Sequence, residues 1–401
     1  MNLAVFNRAD GAADIRLTAL QAKVGAIAVI LPLLAVGIAQ IVLAKNYITP
    51  AGPPLGGDFI TFWTAAKAAV AGQATTIYDV ETFREWLARL APGGEGTRFT
   101  WQYPPTYFLI IGLLAFLPYG LAYAVWTGGG FACFAAATRA AGLRGLALFL
   151  VIAAPATFQA VITGQNGFLT ATLLLGATLM PDKRPLLAGA CAAALTVKPQ
   201  LGLLIPIAYA AGGHWRAFGY AAGGAVVFAG ASVAAFGVEA WTAFFASIMT
   251  AGGNIASGVM PLFKMPTVFA ALSLAGVPAP IALAFHLLGA GAAMWATWRV
   301  WRESDNRALK AAVVCAGAFL VAPYAYYYEL VIMAAPIALL AVEASREGWR
   351  RYDHLLLAGL FLVPMILPGT PTQDGFNLAF VATVLAFIFV LRRMQPQSLT
   401  A

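Results

Sequence analysis

Long apolar stretches recur along the chain, separated by short polar turns. They occupy 22–44, 120–141, 145–162, 166–181, 185–197, 200–212, 216–236, 279–298, 308–322, 329–344, 352–368 and 376–391. Many approach the length a helix needs to cross a bilayer, and backbone in lipid must satisfy its own hydrogen bonds, so each predicts a helix. Two places break the regularity. Residues 104–118 are apolar but short. The 185–212 stretch is cut by Lys198-Pro199 into two helices of about 20 Å, at about 1.5 Å per residue, against a hydrocarbon core of ~30 Å. Counting 104–118 as a full crossing would move Arg139 and Arg144 to the far side, so one of these two segments is expected to span incompletely. A hairpin at 185–212 dipping in from the cytoplasmic side is the simplest arrangement.

The first long connection, 45–102, is patterned differently. Asp58 precedes Phe59, Phe62, Trp63, Ala66 and Val70 at helical spacing, with Lys67 off that stripe. Further on, Val80, Phe83, Leu87 and Leu90 form a second stripe opposite Glu81, Glu85 and Arg89. Two amphipathic helices are predicted, lying in the headgroup plane with their aromatics toward the bilayer.

Composition makes the class definite. The 401 residues are 61% hydrophobic and only 10% charged, whereas a soluble domain carries roughly 25% charged residues. The mean hydropathy is +0.81. A soluble fold is excluded, and 1–401 reads as a single all-α polytopic membrane domain of about 11–13 transmembrane helices. The 40 glycines suit close helix packing in lipid. The net charge of +8 is scattered singly or in pairs between apolar runs, which argues against nucleic acid as a partner. It orients the chain instead. With the N-terminus inside, 17 of the 24 basic residues fall at cytoplasmic ends, and the other 7 lie mostly in the long 45–102 loop, where the positive-inside rule is weak. Both termini are then cytoplasmic. The 22–44 run, longer than a signal-peptide core, is expected to be an uncleaved first span. Cys133, Cys191 and Cys315 all sit in apolar segments, so neither a disulfide framework nor a metal-ligand spacing is present.

On this topology polar residues gather on the non-cytoplasmic side. The turns there read "WQYPP" (101–105), "TGQNG" (163–167), "VKPQ" (197–200), "GNIASGVMPLFKMP" (253–266), "APYAYYYE" (322–329) and "PGTPTQDG" (368–375). Desolvated charge is expensive, so Asp58, Gln165, Asn166, Lys198, Tyr324, Tyr328 and Glu329 converging on one leaflet point to a binding or reaction site. Each also has a plainer reading. Asp58, after two glycines, could be an N-cap, as could Asp79; Gln165 and Asn166 could cap the helix that follows. Lys198 could snorkel to the interface, and Tyr326, Tyr327 and Tyr328 could form an aromatic belt. Glu329, at the mouth of a span, needs a partner, for which Lys198 or a tyrosine hydroxyl is available. His286, amid Ala and Leu, fits a packed, backbone-bonded histidine better than a proton relay.

The order of the "GGDF" helix, "IYD", "QYPP", "GQNG", "LTVKPQ" and "APYAYYYEL", from about Gly56 to Leu340, resembles bacterial glycosyltransferase family 87. The resemblance implies a GT-C fold with juxtamembrane helices in the first outer loop and a catalytic aspartate at its start, the position of Asp58. It implies a bacterial inner-membrane enzyme that needs no cofactor, its donor substrate being a polyprenyl-phosphate sugar. A hexose, mannose first, would pass to a lipid or glycan hydroxyl on the periplasmic face, with inversion. Asp58 would be general base; Lys198, Gln165 and Tyr103 would hold the donor phosphate; Glu329, Tyr328, Tyr324 and Asn166 would orient sugar or acceptor. The last motif departs from the family pattern, with Tyr324, Tyr326 and Tyr328 where members often carry His or Asp, and Glu329 in place of Asp. The rival class is a secondary transporter or flippase, which should place ionisable groups near midplane and show repeated halves. A non-catalytic scaffold is the third.

Overall fold

The computed structural model describes residues 17–90, 99–256, 261–366 and 377–394. Arg8, Arg16, Arg98 and the 368–375 turn lie outside the described residues. Among the described residues the chain is helical, with only isolated bridges, Lys45 to Ile48 and Ile48 to Pro54, in the connection after the first helix. The helices in chain order are α1 (Ala19–Val42), α2 (Phe59–Val70), α3 (Val80–Leu90), α4 (Thr106–Ile111), α5 (Tyr119–Ala140), α6 (Gly145–Ile152), α7 (Pro155–Ile162), α8 (Gly167–Leu179) and α9 (Pro185–Ala194). They continue as α10 (Pro199–Gly202), α11 (Leu204–Ala211), α12 (Trp215–Phe236), α13 (Val238–Ala256), α14 (Val268–Leu274) and α15 (Ala279–Glu303). The last are α16 (Arg307–Val321), α17 (Val331–Glu347), α18 (Asp353–Ile366) and α19 (Leu378–Met394). Among the described residues, six continuous or nearly continuous apolar helices of at least 18 residues have the length and composition to cross a bilayer. The protein is an all-α polytopic membrane protein.

Prolines interrupt two of the predicted spans. Ala154, preceding Pro155, is extended (φ −62°, ψ 138°), and so separates α6 from α7 inside the 145–162 run. The carbonyl of Val151, freed by the break, accepts the Thr157 hydroxyl at 2.7 Å. Lys198, before Pro199, likewise leaves the helical region (φ −137°, ψ 68°) and divides 185–212 at the expected place. The 104–118 stretch is α4 followed by a 3₁₀ segment, Gly112–Phe116, and is as incomplete as the hairpin. The sequence reading asked one of these two segments to be short; both are. The amphipathic α13 was missing from the expected spans, and it extends into the predicted 253–266 turn.

The interior has two apolar cores. The larger joins α8, α9, α11, α15, α16, α17 and α19, with α16 buried along nearly its whole length. The smaller joins α2, α3, α4 and the start of α5. Tyr209 on α11 donates to the carbonyls of Ala177 (2.9 Å) and Ala188 (3.2 Å), tying α8 to α9. The α3 helix follows its predicted stripe, with Phe83 and Leu87 buried. In α2 the reading differs from the outcome. Ten of its residues from Phe59 to Ala69 are buried, because α4, the 3₁₀ segment and α5 cover the faces that the sequence left polar or small. Thus α2 is an enclosed helix, not one lying on a headgroup plane.

At the end of the bundle holding the α8–α9 and α18 termini, basic residues are spent on clamps. Arg307 donates to the Leu179 carbonyl. Arg392 and Arg393 both pair with the buried Asp353 carboxylate, fastening α18 to α19.

Glycine sets how closely α9 and α12 approach. A Cβ on Gly189 would lie 2.4 Å from Tyr220 Cβ and 2.8 Å from the Ala217 carbonyl oxygen, whereas one on Gly219 would meet nothing within 4 Å. Gly189→Leu should therefore force the pair apart and destabilise the protein by about 1–3 kcal/mol or more. Gly219→Leu should be tolerated, so equal thermal midpoints for the two variants in detergent would show that the packing is wrong.

Candidate active site

The polar cluster lies where the two cores meet, at the end of the bundle holding the α1–α2 connection. Asp58 stands at the head of α2, Gln165 and Asn166 at the head of α8, Lys198 at the tip between α9 and α10, and Glu329 in the 3₁₀ turn that leads into α17. Tyr103 comes from the segment before α4.

Asp58 is not a cap. Its own backbone is already helical (φ −70°, ψ −12°), and a capping side chain needs the extended conformation that points it back over the first turn. Instead its Oδ2 accepts a 2.7 Å hydrogen bond from Gln165 Nε2, and Gln165 Oε1 accepts from the Tyr103 hydroxyl at 3.2 Å. The Tyr103 carbonyl in turn accepts from the Tyr78 hydroxyl at 2.7 Å. Burial pushes the Asp58 carboxyl above its usual range; the Gln165 bond and the charges of Lys264 and Lys198 pull it back only in part. Asp79, by contrast, is an exposed cap. Its carboxylate accepts from the Thr82 backbone and hydroxyl, both at 2.8 Å, and these bonds hold its pKa below the usual value.

A second unit surrounds Lys198, whose residue is only 5% exposed. Its ammonium donates to Asn166 Oδ1 at 2.7 Å and forms an ion pair with the buried Glu329. The rings of Tyr103 and Tyr328 flank it at 5.6 and 5.5 Å from their centroids. The other Glu329 oxygen accepts from the Tyr326 backbone at 3.2 Å. Lys198 is the partner that Glu329 needed, and it does not snorkel. Tyr328 stacks on Tyr326 with centroids 5.4 Å apart, and Tyr324 is half-buried within electrostatic reach of Lys198 and Glu329. Asn166 makes no side-chain cap bond to α8.

The structure therefore gathers all eight sequence-chosen residues into two adjoining units, Asp58–Gln165–Tyr103 and Lys198–Asn166–Glu329–Tyr328, with Tyr324 at the edge. His286 is elsewhere, buried in α15 and hydrogen-bonded to the Val321 backbone. Sequence reasoning overlooked Lys264 as a site residue. It is exposed beside this cluster on a short turn pinned by Asn377, whose Nδ2 donates to the carbonyls of Leu262 (3.2 Å) and Met265 (2.8 Å). It also overlooked Tyr119, Tyr123 and Trp126, whose polar tips reach the segments behind Asp58; their i, i+4, i+7 spacing on one helix face was the available signal.

Two loops must touch for Asp58 to meet Gln165. The Asp58 amide donates to the Thr163 carbonyl at 3.0 Å. Gly164, at φ +58°, lies so close that a Cβ there would stand 2.5 Å from both the Gly56 carbonyl oxygen and Phe59 Cβ.

Beside the cluster runs an apolar groove of about 770 Å³ between α1, α6, α17 and α18. Leu330, the residue after Glu329, lines it near the site; Leu150, Met333, Ile337 and Phe361 continue the wall, and Thr18 and Trp349 lie toward the other end.

The model of glycosyltransferase family 87 matches residues 101–323, which is more than half of the chain. The chain belongs to this family. It is a membrane glycosyltransferase. The match takes in Tyr103, Gln165, Asn166 and Lys198, while Asp58 and Glu329 lie outside it. No curated protein and no solved structure matches the chain.

The buried pair makes a direct prediction. Lys198→Met or Glu329→Leu alone should each cost about 3–5 kcal/mol, because a charge stays behind without its counterion. The double variant should recover most of that loss. Thermal unfolding in detergent checks it, and a double variant no better than the singles would mean that the two side chains do not pair.

Proposed function

We propose that this family 87 glycosyltransferase transfers a hexose, mannose being the first expected, from a polyprenyl-phosphate carrier to a hydroxyl of a lipid or glycan acceptor. The reading places the reaction on the periplasmic face of a bacterial inner membrane, with inversion at the anomeric carbon. The observation that carries it is Asp58. Its carboxylate is fixed through Oδ2 by Gln165, is released from capping, and is raised in pKa at the seam that also holds a buried ammonium.

A phosphate-linked sugar is already activated, so the chain has three tasks. Asp58 takes the proton from the acceptor hydroxyl as that oxygen bonds to the anomeric carbon and the bond to the phosphate oxygen breaks. A base with a pKa moved toward neutrality suits this step, and a positioned carboxylate contributes about 10²–10⁴ in rate. Cations then stabilise the departing polyprenyl phosphate. Lys198, with Gln165 and Tyr103, is the inner group; because Glu329 already neutralises it, the exposed Lys264 supplies the second charge. Glu329, Tyr328, Tyr324 and Asn166 orient the sugar or the acceptor.

The apolar groove starting beside Glu329 supports a lipid-borne donor, since a hydrocarbon chain could lie along it while its phosphate reaches the polar seam. The clamps formed by Arg307, Arg392 and Arg393 at the opposite end support a cytoplasmic location for that end and a periplasmic one for the site.

Asp58→Asn should leave folding and membrane insertion intact and lower transfer by at least about 10²-fold. In the wild type, activity should fall as the pH drops through the Asp58 pKa, which burial sets above the ordinary carboxylate range, because only the ionised form accepts the proton. Purified protein, a panel of labelled polyprenyl-phosphate hexoses and extracted membrane lipids provide the assay; full activity of the Asn variant would remove the mechanism. Lys264→Ala should raise the donor KM several-fold without changing the thermal midpoint. An unchanged donor KM would leave the phosphate to Lys198 alone.

A further inference from the structure

Helix α5 carries three polar-tipped aromatics on one face, Tyr119, Tyr123 and Trp126, at i, i+4 and i+7. Each donates to a backbone carbonyl of another segment. The Tyr119 hydroxyl reaches Leu55 O at 2.5 Å, the Tyr123 hydroxyl reaches Val161 O at 2.8 Å, and Trp126 Nε1 reaches Gly164 O at 3.1 Å. The first acceptor lies three residues before Asp58. The other two belong to the end of α7 and the turn that delivers Gln165. The rings of Tyr119 and Tyr123 also pack on Phe59, the residue after Asp58, with centroids 5.6 and 5.5 Å away.

We infer that Tyr119, Tyr123 and Trp126 are positioning residues that hold the Asp58 loop against the Gln165 turn, so that the hydrogen bond between Asp58 and Gln165 is set by one face of α5. The backbone bond from Asp58 to Thr163 carries part of the alignment, but both strands of that contact are loops. Loops keep a catalytic geometry only when a rigid element fixes them, and α5 is the helix that touches both. The three tips touch neither the carboxylate nor the Lys198 unit, so they act only through the backbone they hold. The inference rests on the reading of Asp58 as the general base, but its geometric content can be tested without it.

The groups that face Asp58 electrostatically are Lys198 and Lys264, together with the phenols of Tyr103, Tyr326, Tyr327 and Tyr328. Substitutions on α5 alter none of them. Tyr123→Phe keeps the ring and removes only the donor, whereas Trp126→Phe removes the indole N–H and leaves a smaller ring against Phe62 and Tyr107; both free a carbonyl to drift. Losing the Gln165 contact removes a bond that favours the ionised carboxylate, so Asp58 should then protonate at higher pH.

The test is an infrared pH titration of the protonated-carboxyl band that Asp58→Asn removes, in purified wild-type protein, Tyr123→Phe, Trp126→Phe and the double variant. Tyr220→Phe, on an exposed tyrosine of α12, serves as the control. The midpoint should rise by about one pH unit in the double variant and move little further when Gln165→Leu is added, since both act on the same bond. The acid limb of the transfer rate should move the same way, with kcat falling about tenfold or more and the donor KM holding. Variants that titrate like the wild type, or a shift fully additive with Gln165→Leu, would overturn the inference. Should Asp58→Asn keep full transfer activity, the base assignment fails, while the infrared midpoints still decide the positioning role.

Discussion

Charge removed from water at the junction of two apolar cores is the constraint around which this protein is arranged. A buried ammonium beside a buried carboxylate is tolerated only if the geometry closes every contact, since an unpaired ion in such surroundings costs more than most single interactions can return. Lys198 meets that demand with Glu329, Asn166 and two phenol rings. Asp58 meets it with a single amide and remains poised. The lysine has more partners than the aspartate, whose carboxylate keeps reactive capacity because it is less completely satisfied.

Much of this was legible in the linear sequence for definite physical reasons. Desolvated polar residues are rare enough in an apolar chain that Gln165, Asn166, Lys198 and Glu329 stood out at the ends of hydrophobic runs, and helix ends on one side of a bundle are neighbours by necessity. Lys198-Pro199 could be read as a break because proline restricts the residue before it. The class of fold followed from the long apolar runs together with the scarcity of charge.

What the sequence concealed depended on what covers what. The stripe of α2 suggested a surface helix, and only the incomplete α4 segment and α5 lying over it explain its burial. Asp58 after two glycines could be read as a cap or as a base, and the choice rests on a backbone conformation that residue identity does not determine. For Glu329 the sequence offered Lys198 or a tyrosine hydroxyl as partner, and the choice between them is a contact between residues far apart in the chain. Tyr119, Tyr123 and Trp126 drew no notice in the sequence, because the carbonyls they hold belong to other segments.

The opposite side of α5 presents Leu121 and Val125 outward, each at least half exposed. The helix that grips the loops is therefore also one that lipid can touch. Hydrocarbon thickness acts on such a helix through its tilt. A thinner or thicker membrane that leans α5 carries the three carbonyl contacts with it, which makes the bilayer part of the scaffold that aligns the carboxylate with its amide.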